Sequence, residues 1–336
     1  MVTAIADVEV EGFKQNVVLA IRNEAPTSPR ASALKILETA GDRLFNELTP
    51  HDRERFSLRA PLETRALALA REGKLDAAYA VAEEIAGLDG QERLSSPARL
   101  LADCTRESVL AYVSFCRGEF DGAELALCNA ISAIGTLMSK HSLAPFAGRQ
   151  VFLGTHWVRI KLKRNDVDAA IQASMGLLAY AEGDLFSWPV ASCSPGPYAC
   201  DPRDEFVAGR VTELFEQVSL AFSCGASEVG GAVLSSMAPH CAGSCVHFTR
   251  THDWIRLKAF ALQGNANQLI PEAMRFLATN RRDSPMCWDV VAADLLRTCL
   301  EHPTSMTASI ASALEPAIVE LRLTSPILAT ASQRGE

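Results

Sequence analysis

The fold is decided by a pattern that recurs along the chain as Gly73-Lys-Leu-Asp-Ala-Ala78, Gly118-Glu-Phe-Asp-Gly-Ala123 and Asn165-Asp-Val-Asp-Ala-Ala170. Each copy begins with a residue that tolerates a left-handed turn. An apolar residue follows two positions later and a small residue five positions later. Weaker copies begin at Gly225 and Gly264. Because apolar residues on either side recur at helical spacing and almost never alternate, the pattern predicts repeated helix hairpins.

A single hairpin cannot bury its own apolar stripe, so neighbouring hairpins are expected to stack. The small residue at Ala78, Ala123 and Ala170 lets two helix backbones approach closely. We therefore predict an all-α fold in which stacked antiparallel helix hairpins form a right-handed α-solenoid. An unrelated helical bundle is the alternative, because bundles also place small residues where helices cross.

The predicted domain organisation has three parts. Residues 1–58 form a helical N-terminal cap, residues 59–325 form the repeat array, and residues 326–336 form a flexible tail. An inserted loop at 186–202 interrupts the array, since its four prolines exclude a helix. Trp188 and Tyr198 in this loop predict that it packs back onto the helices.

Composition and charge exclude several classes of protein. The net charge of −8, from 32 basic and 40 acidic residues, argues against direct nucleic-acid binding. No run of 18 or more uncharged apolar residues is present, so we expect no membrane span. The N-terminal residues lack the basic and apolar regions of a signal peptide. Ten cysteines without an export signal predict free thiols, and hence a cytoplasmic protein.

These hairpins resemble the tetratricopeptide repeat over about residues 60–280, although the copies are degenerate. In that family a glycine near the end of the first helix is followed by an aromatic residue and then by an alanine. Gly118, Phe120 and Ala123 match this pattern best. The spacing from Gly73 to Gly118 is 45 residues, against roughly thirty-four in the family. The resemblance implies a concave groove, lined by the first helix of each hairpin, that binds peptides.

Counting back from each turn gives the residues expected to line this groove. They are Ser108, Tyr112, Thr155, Arg159, Phe215, Ser219, Trp254 and Lys258. Aromatic rings, hydroxyls and two cations together suit an extended peptide or an acidic ligand group. Against this, aromatic residues at helical spacing often belong to the core.

A cluster of thiols and imidazoles offers a second hypothesis. Its members are Cys193, Cys200, His240, Cys241, Cys245 and His247. Four such groups at tetrahedral distances would hold a structural zinc ion, although small buried cysteines also pack as hydrophobic residues. The chain has no P-loop, dinucleotide-binding, His-Glu-x-x-His or EF-hand motif. We therefore predict no catalytic residue, metal site or cofactor.

The sequence favours a cytoplasmic interaction module that binds a peptide or protein partner in its concave groove. An acidic partner would suit the two cations, and a homodimer is left open. The first alternative is a metal-dependent enzyme of the α/α-toroid type, faintly resembling lanthipeptide cyclases, that acts on a peptide or small molecule. The second alternative is a ligand-sensing regulatory protein, which would need a separate DNA-binding partner.

Overall fold

The computed structural model of the chain describes residues 7–22, 45, 48–91, 94–141, 147–181, 184–190, 214, 218–219, 228–237, 249–278, 281 and 285–321. Within these residues the secondary structure consists of twelve α-helices and one short 3-10 helix, without a strand. The all-α prediction is thereby confirmed, whereas the right-handed solenoid stays a prediction.

The helices follow one another in chain order. They are α1 (Asp7–Arg22), α2 (Pro50–Arg71), α3 (Leu75–Gln91), α4 (Ser96–Arg117), α5 (Phe120–His141), α6 (Ala147–Lys163), α7 (Val167–Ala181), α8 (Glu228–Met237), α9 (Thr249–Leu262), α10 (Ala266–Leu277), α11 (Pro285–Glu301) and α12 (Ser305–Leu321). The 3-10 helix, Leu185–Ser187, lies between α7 and α8.

Four hairpins turn at the residues that the sequence pattern predicts. The backbone φ is positive at Gly73 (76°), Gly118 (78°), Asn165 (59°) and Gly264 (65°). At Gly118 the turn amide donates to the Phe115 carbonyl oxygen at 3.1 Å, and the next amide donates to Ser114 at 2.9 Å. The other three turns repeat these two hydrogen bonds. They satisfy the last carbonyls of each first helix and so fix where it ends.

The small residue of each copy packs where the pattern expects close helix contact. Ala78, Ala123 and Ala170 are all buried. Ala78 belongs to a core cluster with Ala66 on α2 and Val113 on α4. Three helices therefore meet at this alanine, where a larger side chain would have no room.

The chain divides into two compact units, which we call the central unit (33–166 and 176–210) and the end unit (1–32, 167–175 and 211–336). In the central unit α2 packs against α3 and α4, and α5 packs against α4 and α6. In the end unit α9 packs against α10 and α11, while α1 packs against α10 and α12. The predicted cap, array and tail stay predictions, and α2 runs through the proposed boundary between residues 58 and 59.

One buried carboxylate joins the first turns of α2 and α4. Asp52 is 1% exposed. It accepts hydrogen bonds from the Ser95 amide at 3.1 Å, the Ser95 hydroxyl at 2.7 Å and the Thr49 hydroxyl at 2.8 Å. Burial opposes ionisation of Asp52, but the hydrogen bonds from Ser95 and Thr49 outweigh it and lower its pKa. Because Thr49 and Ser95 are the N-caps of α2 and α4, Asp52 fixes one helix start to the other.

The first part of the predicted inserted loop packs against α7. The Trp188 ring meets the Tyr180 ring edge-on, with centroids 4.9 Å apart. The Tyr180 hydroxyl in turn donates to the Gln150 side chain of α6 at 2.9 Å. The approach is close, because a Cβ atom added to Gly176 would lie 2.6 Å from the Ser187 carbonyl oxygen. Tyr198, the other aromatic residue of this loop, lies outside the described residues.

Helix α5 is the one helix of the described residues that is long and apolar enough to cross a membrane by length and composition. Its best 18-residue window has a mean hydropathy of 1.2, and 61% of that window is buried inside the protein. The core helix of a helical protein meets the same criteria. Its contacts with α4 and α6 on the buried side are those of such a core helix.

Candidate functional site

The first helices of three successive hairpins are linked through polar side chains in the central unit. Thr105 on α4 donates a hydrogen bond to Glu63 on α2 at 2.8 Å. Arg149 on α6 donates to the Ser108 hydroxyl on α4 at 3.4 Å. Side chains of α2, α4 and α6 therefore contribute to one connected polar region, with α6 at one side of it.

Four side chains of α6, which we call the α6 stripe, stand in a row. They are Arg149, Phe152, His156 and Arg159, and all four are half-buried. The Arg149 guanidinium lies 4.9 Å from the centre of the Phe152 ring. The Phe152 and His156 rings meet edge-on with centroids 4.5 Å apart, and Arg159 Nη1 lies 3.4 Å from His156 Nδ1. Spacings of three, four and three residues place the row on one side of the helix.

No acidic residue occurs between positions 147 and 164, so the cations of α6 need counter-charges from elsewhere. Lys161 of α6 and Arg164, the residue just after α6, find such charges on α5. Lys161 Nζ lies 2.8 Å from Glu124, and Arg164 Nη1 lies 2.9 Å from Asp121. Lys161 also stands over the Trp157 ring, 4.6 Å from its centre. The cations next to α5 are therefore neutralised within the chain.

A shallow depression of about 350 Å³ lies beside these ion pairs. It is lined by Asp121, Glu124, Leu125, Cys128, Asn129, Ser132 and Trp157. Both of its carboxylates are engaged by Lys161 and Arg164. The carboxylates that line this depression are therefore paired within the chain, whereas the charged residues of the α6 stripe are arginines.

Arg149 has a different environment from that of Lys161. Among the described residues no carboxylate forms an ion pair with Arg149, which contacts the Ser108 hydroxyl and the Phe152 ring. The Cys104 thiol lies next to it, but burial raises the pKa of that thiol more than Arg149 lowers it, so the thiol stays neutral. A half-buried guanidinium of this kind is suited to bind an anion.

The predicted groove residues of the central unit divide into two groups. Ser108, Tyr112 and Arg159 are half-buried and present part of their side chains to solvent. Burial, and to a smaller extent the neighbouring Cys116 thiol, raises the pKa of Tyr112, so the Tyr112 hydroxyl stays protonated. Thr155 is fully buried, and its hydroxyl donates to the Phe152 carbonyl oxygen at 2.7 Å. The structure thus places Thr155 in the core, where the helix backbone satisfies this hydroxyl.

In the end unit the predicted groove residues lie in the core instead. Trp254 and Ser219 are fully buried, and Lys258 is 7% exposed. The Lys258 ammonium lies 2.7 Å from the carboxylate of Asp294, a buried residue on α11. A lysine that has a counter-charge within the core does not need an external anion. The structure thus places these three predicted groove residues in the core, and Phe215 lies outside the described residues.

The sequence reasoning missed most of the α6 stripe. It selected Arg159 but neither Arg149 nor Phe152, because it took only the positions six and ten residues before Asn165. A usable signal was present. Positions 149, 152, 156 and 159 follow the spacing of one helix face, and the helix carries basic residues without a single acid.

The proposed metal cluster of Cys193, Cys200, His240, Cys241, Cys245 and His247 lies outside the described residues. Within the part of the chain that the structure describes, no group of three or more His, Cys, Asp or Glu side chains could hold a metal ion. The described cysteines form no disulfide. Burial raises the pKa of Cys299 to about 12, which leaves this thiol protonated and unreactive.

Comparison of the chain with protein-family models, with curated proteins and with solved structures finds no match. The functional inference is therefore based on the geometry and charge of the α6 stripe.

Proposed function

We propose that this protein is a cytoplasmic interaction module that binds an acidic peptide or protein segment along the α6 stripe. One observation carries the proposal. Arg149 is half-buried and held by Phe152 and Ser108, yet no carboxylate of the described residues pairs with it. The resemblance to tetratricopeptide repeats supports the same surface, since that family binds peptides with the first helices of its hairpins.

The environment of Arg149 favours binding for two physical reasons. The contacts with Phe152 and Ser108 restrict the guanidinium before a ligand arrives, so less side-chain entropy is lost on binding. Half-burial also weakens screening by solvent and salt. A hydrogen bond to a charged partner contributes about 1.5–3 kcal/mol, and about 1.4 kcal/mol corresponds to a tenfold change in affinity.

A charge-removal experiment tests the proposal. We would titrate the full chain into a fluorescein-labelled peptide rich in glutamate and follow fluorescence anisotropy at low and at physiological salt. The Arg149→Ala variant should bind about tenfold more weakly and with a flatter salt dependence. Its melting temperature should stay close to that of the wild type, because Arg149 is half-buried and its hydrogen bond to Ser108 is long, 3.4 Å.

Arg65→Ala is the matched control. Arg65 is an exposed arginine on α2 of the same unit, and its replacement removes the same charge. Affinity should therefore stay near the wild-type value in this variant. If the two variants lose affinity equally, net charge alone explains the loss, and the proposal is overturned.

A further inference from the structure

Two large apolar side chains of the central unit are more exposed than any others among the described residues. Phe186 is 100% exposed and Leu125 is 66% exposed. Phe186 belongs to the segment 184–190, which we call the strap. Leu125 lines the depression beside the ion pairs of α5 and α6, which we call the α5–α6 depression. One chain therefore carries both an exposed aromatic ring and an apolar surface that could cover such a ring.

The strap holds Phe186 in a defined place. The Asp184 carboxylate accepts a hydrogen bond from the Phe186 amide at 3.0 Å and caps the 3-10 helix. Two residues after Phe186, the Trp188 ring packs edge-on against Tyr180 of α7. A single exposed apolar side chain is common at protein surfaces, but the backbone that carries this ring is ordered before a partner arrives. Little conformational entropy is therefore lost when a partner covers the ring.

The α5–α6 depression is suited to an uncharged aromatic group. Its volume of about 350 Å³ exceeds the roughly 150 Å³ that is enough to hold a benzene ring. Leu125 and the half-buried Trp157 line it, and aromatic rings pack favourably edge to face. Both of its carboxylates, Asp121 and Glu124, already have cations from the same chain. A charged ligand would therefore find its counter-charges engaged, whereas an apolar group needs none.

The ring and the depression do not meet within one chain. A fully exposed Phe186 is not covered by its own chain, and the described residues that line the depression belong to α5 and α6. We propose that the protein self-associates by inserting Phe186 of one copy into the α5–α6 depression of a second copy. This contact includes no residue of the α6 stripe, so it goes beyond the proposed function and does not depend on it.

The contact is small, so the association is weak. One aromatic side chain buries about 150–250 Å², whereas stable interfaces bury about 1,200–2,000 Å² in total. The fraction of associated chains should therefore rise with protein concentration between the micromolar and the millimolar range.

Sedimentation equilibrium of the full chain over this concentration range tests the proposal. The weight-average mass of the wild type should rise with concentration. Phe186→Ser removes the ring and Leu125→Glu places a charge in the depression, and each should raise the dissociation constant at least about tenfold. Because both side chains are exposed, the melting temperature of each variant should stay at the wild-type value. Leu300→Glu is the control, since Leu300 is a similarly exposed leucine of the end unit, and it should associate like the wild type.

A mixture of the two variants gives a sharper test. The Phe186→Ser protein keeps an intact depression, and the Leu125→Glu protein keeps an intact ring. Mixed in equal amounts, the two proteins should associate, although neither does so alone. Phe186→Leu keeps an apolar side chain at the same place and should retain part of the association.

Several results would overturn the inference. A wild type that stays monomeric throughout the concentration range has no such contact. Association that survives both substitutions arises from another surface. If the mixture of the two variants stays monomeric, Phe186 and Leu125 do not face each other between copies. Arg149→Ala should associate like the wild type, so each of these results leaves the acidic-partner proposal in place.

Discussion

Removing the charge of Asp52 should weaken the central unit in a pH-dependent way. Asp52 is nearly inaccessible and accepts hydrogen bonds from the N-cap residues of α2 and α4. The Asp52→Asn variant keeps the shape of the side chain, and the two hydroxyl groups can rotate to accept from its amide. The variant has no charge, however, and hydrogen bonds to a neutral amide are weaker than hydrogen bonds to a carboxylate. We expect a loss of about 1–2 kcal/mol at neutral pH.

The direction of the pH effect follows from the lowered pKa of Asp52. A carboxyl group whose pKa is lower in the folded state stabilises that state above its unfolded pKa, which is about 3.9 for aspartate. This contribution is lost as the pH falls through the folded pKa. Wild-type stability should therefore decline below about pH 4, and the decline should be shallower in Asp52→Asn.

Hydrogen exchange read by mass spectrometry suits this test, because it reports on each helix start separately. Peptides covering residues 48–60 and 95–105 should exchange faster in Asp52→Asn at pH 7. The difference in exchange rate between Asp52→Asn and the wild type should shrink at lower pH. Urea titrations at several pH values then compare the free energy of unfolding of the two proteins. Asp76→Asn is the control, because the side chain of Asp76 is fully exposed in the same unit. An unchanged acid slope in Asp52→Asn would refute the reasoning.

Three further substitutions have definite expected effects. Lys258→Ala removes one of two cations from the buried Asp294 carboxylate, which keeps Arg297 at 2.7 Å, and should cost about 1–3 kcal/mol in urea unfolding, so a wild-type midpoint would contradict the ion-pair assignment. Gly176→Ala places a Cβ against the backbone of the 3-10 helix and should speed proteolysis near residue 186, whereas Gly87→Ala, with nothing within 4 Å, should not. Gly118→Ala forces a left-handed φ on alanine and should lower stability by about 1–2 kcal/mol; no change in the melting temperature would mean that the turn relaxes.

The turns were predictable because their cause is local. A glycine or asparagine at the end of an amphipathic stretch determines both the sign of φ and the end of the helix. That is why Gly73, Gly118, Asn165 and Gly264 all behave as the pattern predicts. No partner from elsewhere in the chain is required for this behaviour.

The candidate site was less predictable because its character depends on distant residues. Lys258 and Arg159 look equivalent in sequence, since each is a cation near the end of a first helix. Only the fold shows that Asp294 is 2.7 Å from Lys258. Likewise, only the fold shows that Glu124 lies 2.8 Å from Lys161, while no carboxylate of the described residues pairs with Arg149. Helical spacing shows which residues share one face of a helix, but it does not show which residues of other helices lie against that face.

The packing of α1 against α10 and α12 has a consequence for how the protein is made. The apolar side of α1, with Val10, Phe13 and Val17, is buried in the finished molecule. Its partner helices are translated later, and α12 ends about 300 residues after α1, so at about 5–20 residues per second this side waits roughly 15 to 60 seconds for them. The central unit can fold meanwhile from contacts between consecutive helices. During that interval the apolar side of α1 lacks the helices that cover it, and a chain truncated before α12 would keep it uncovered.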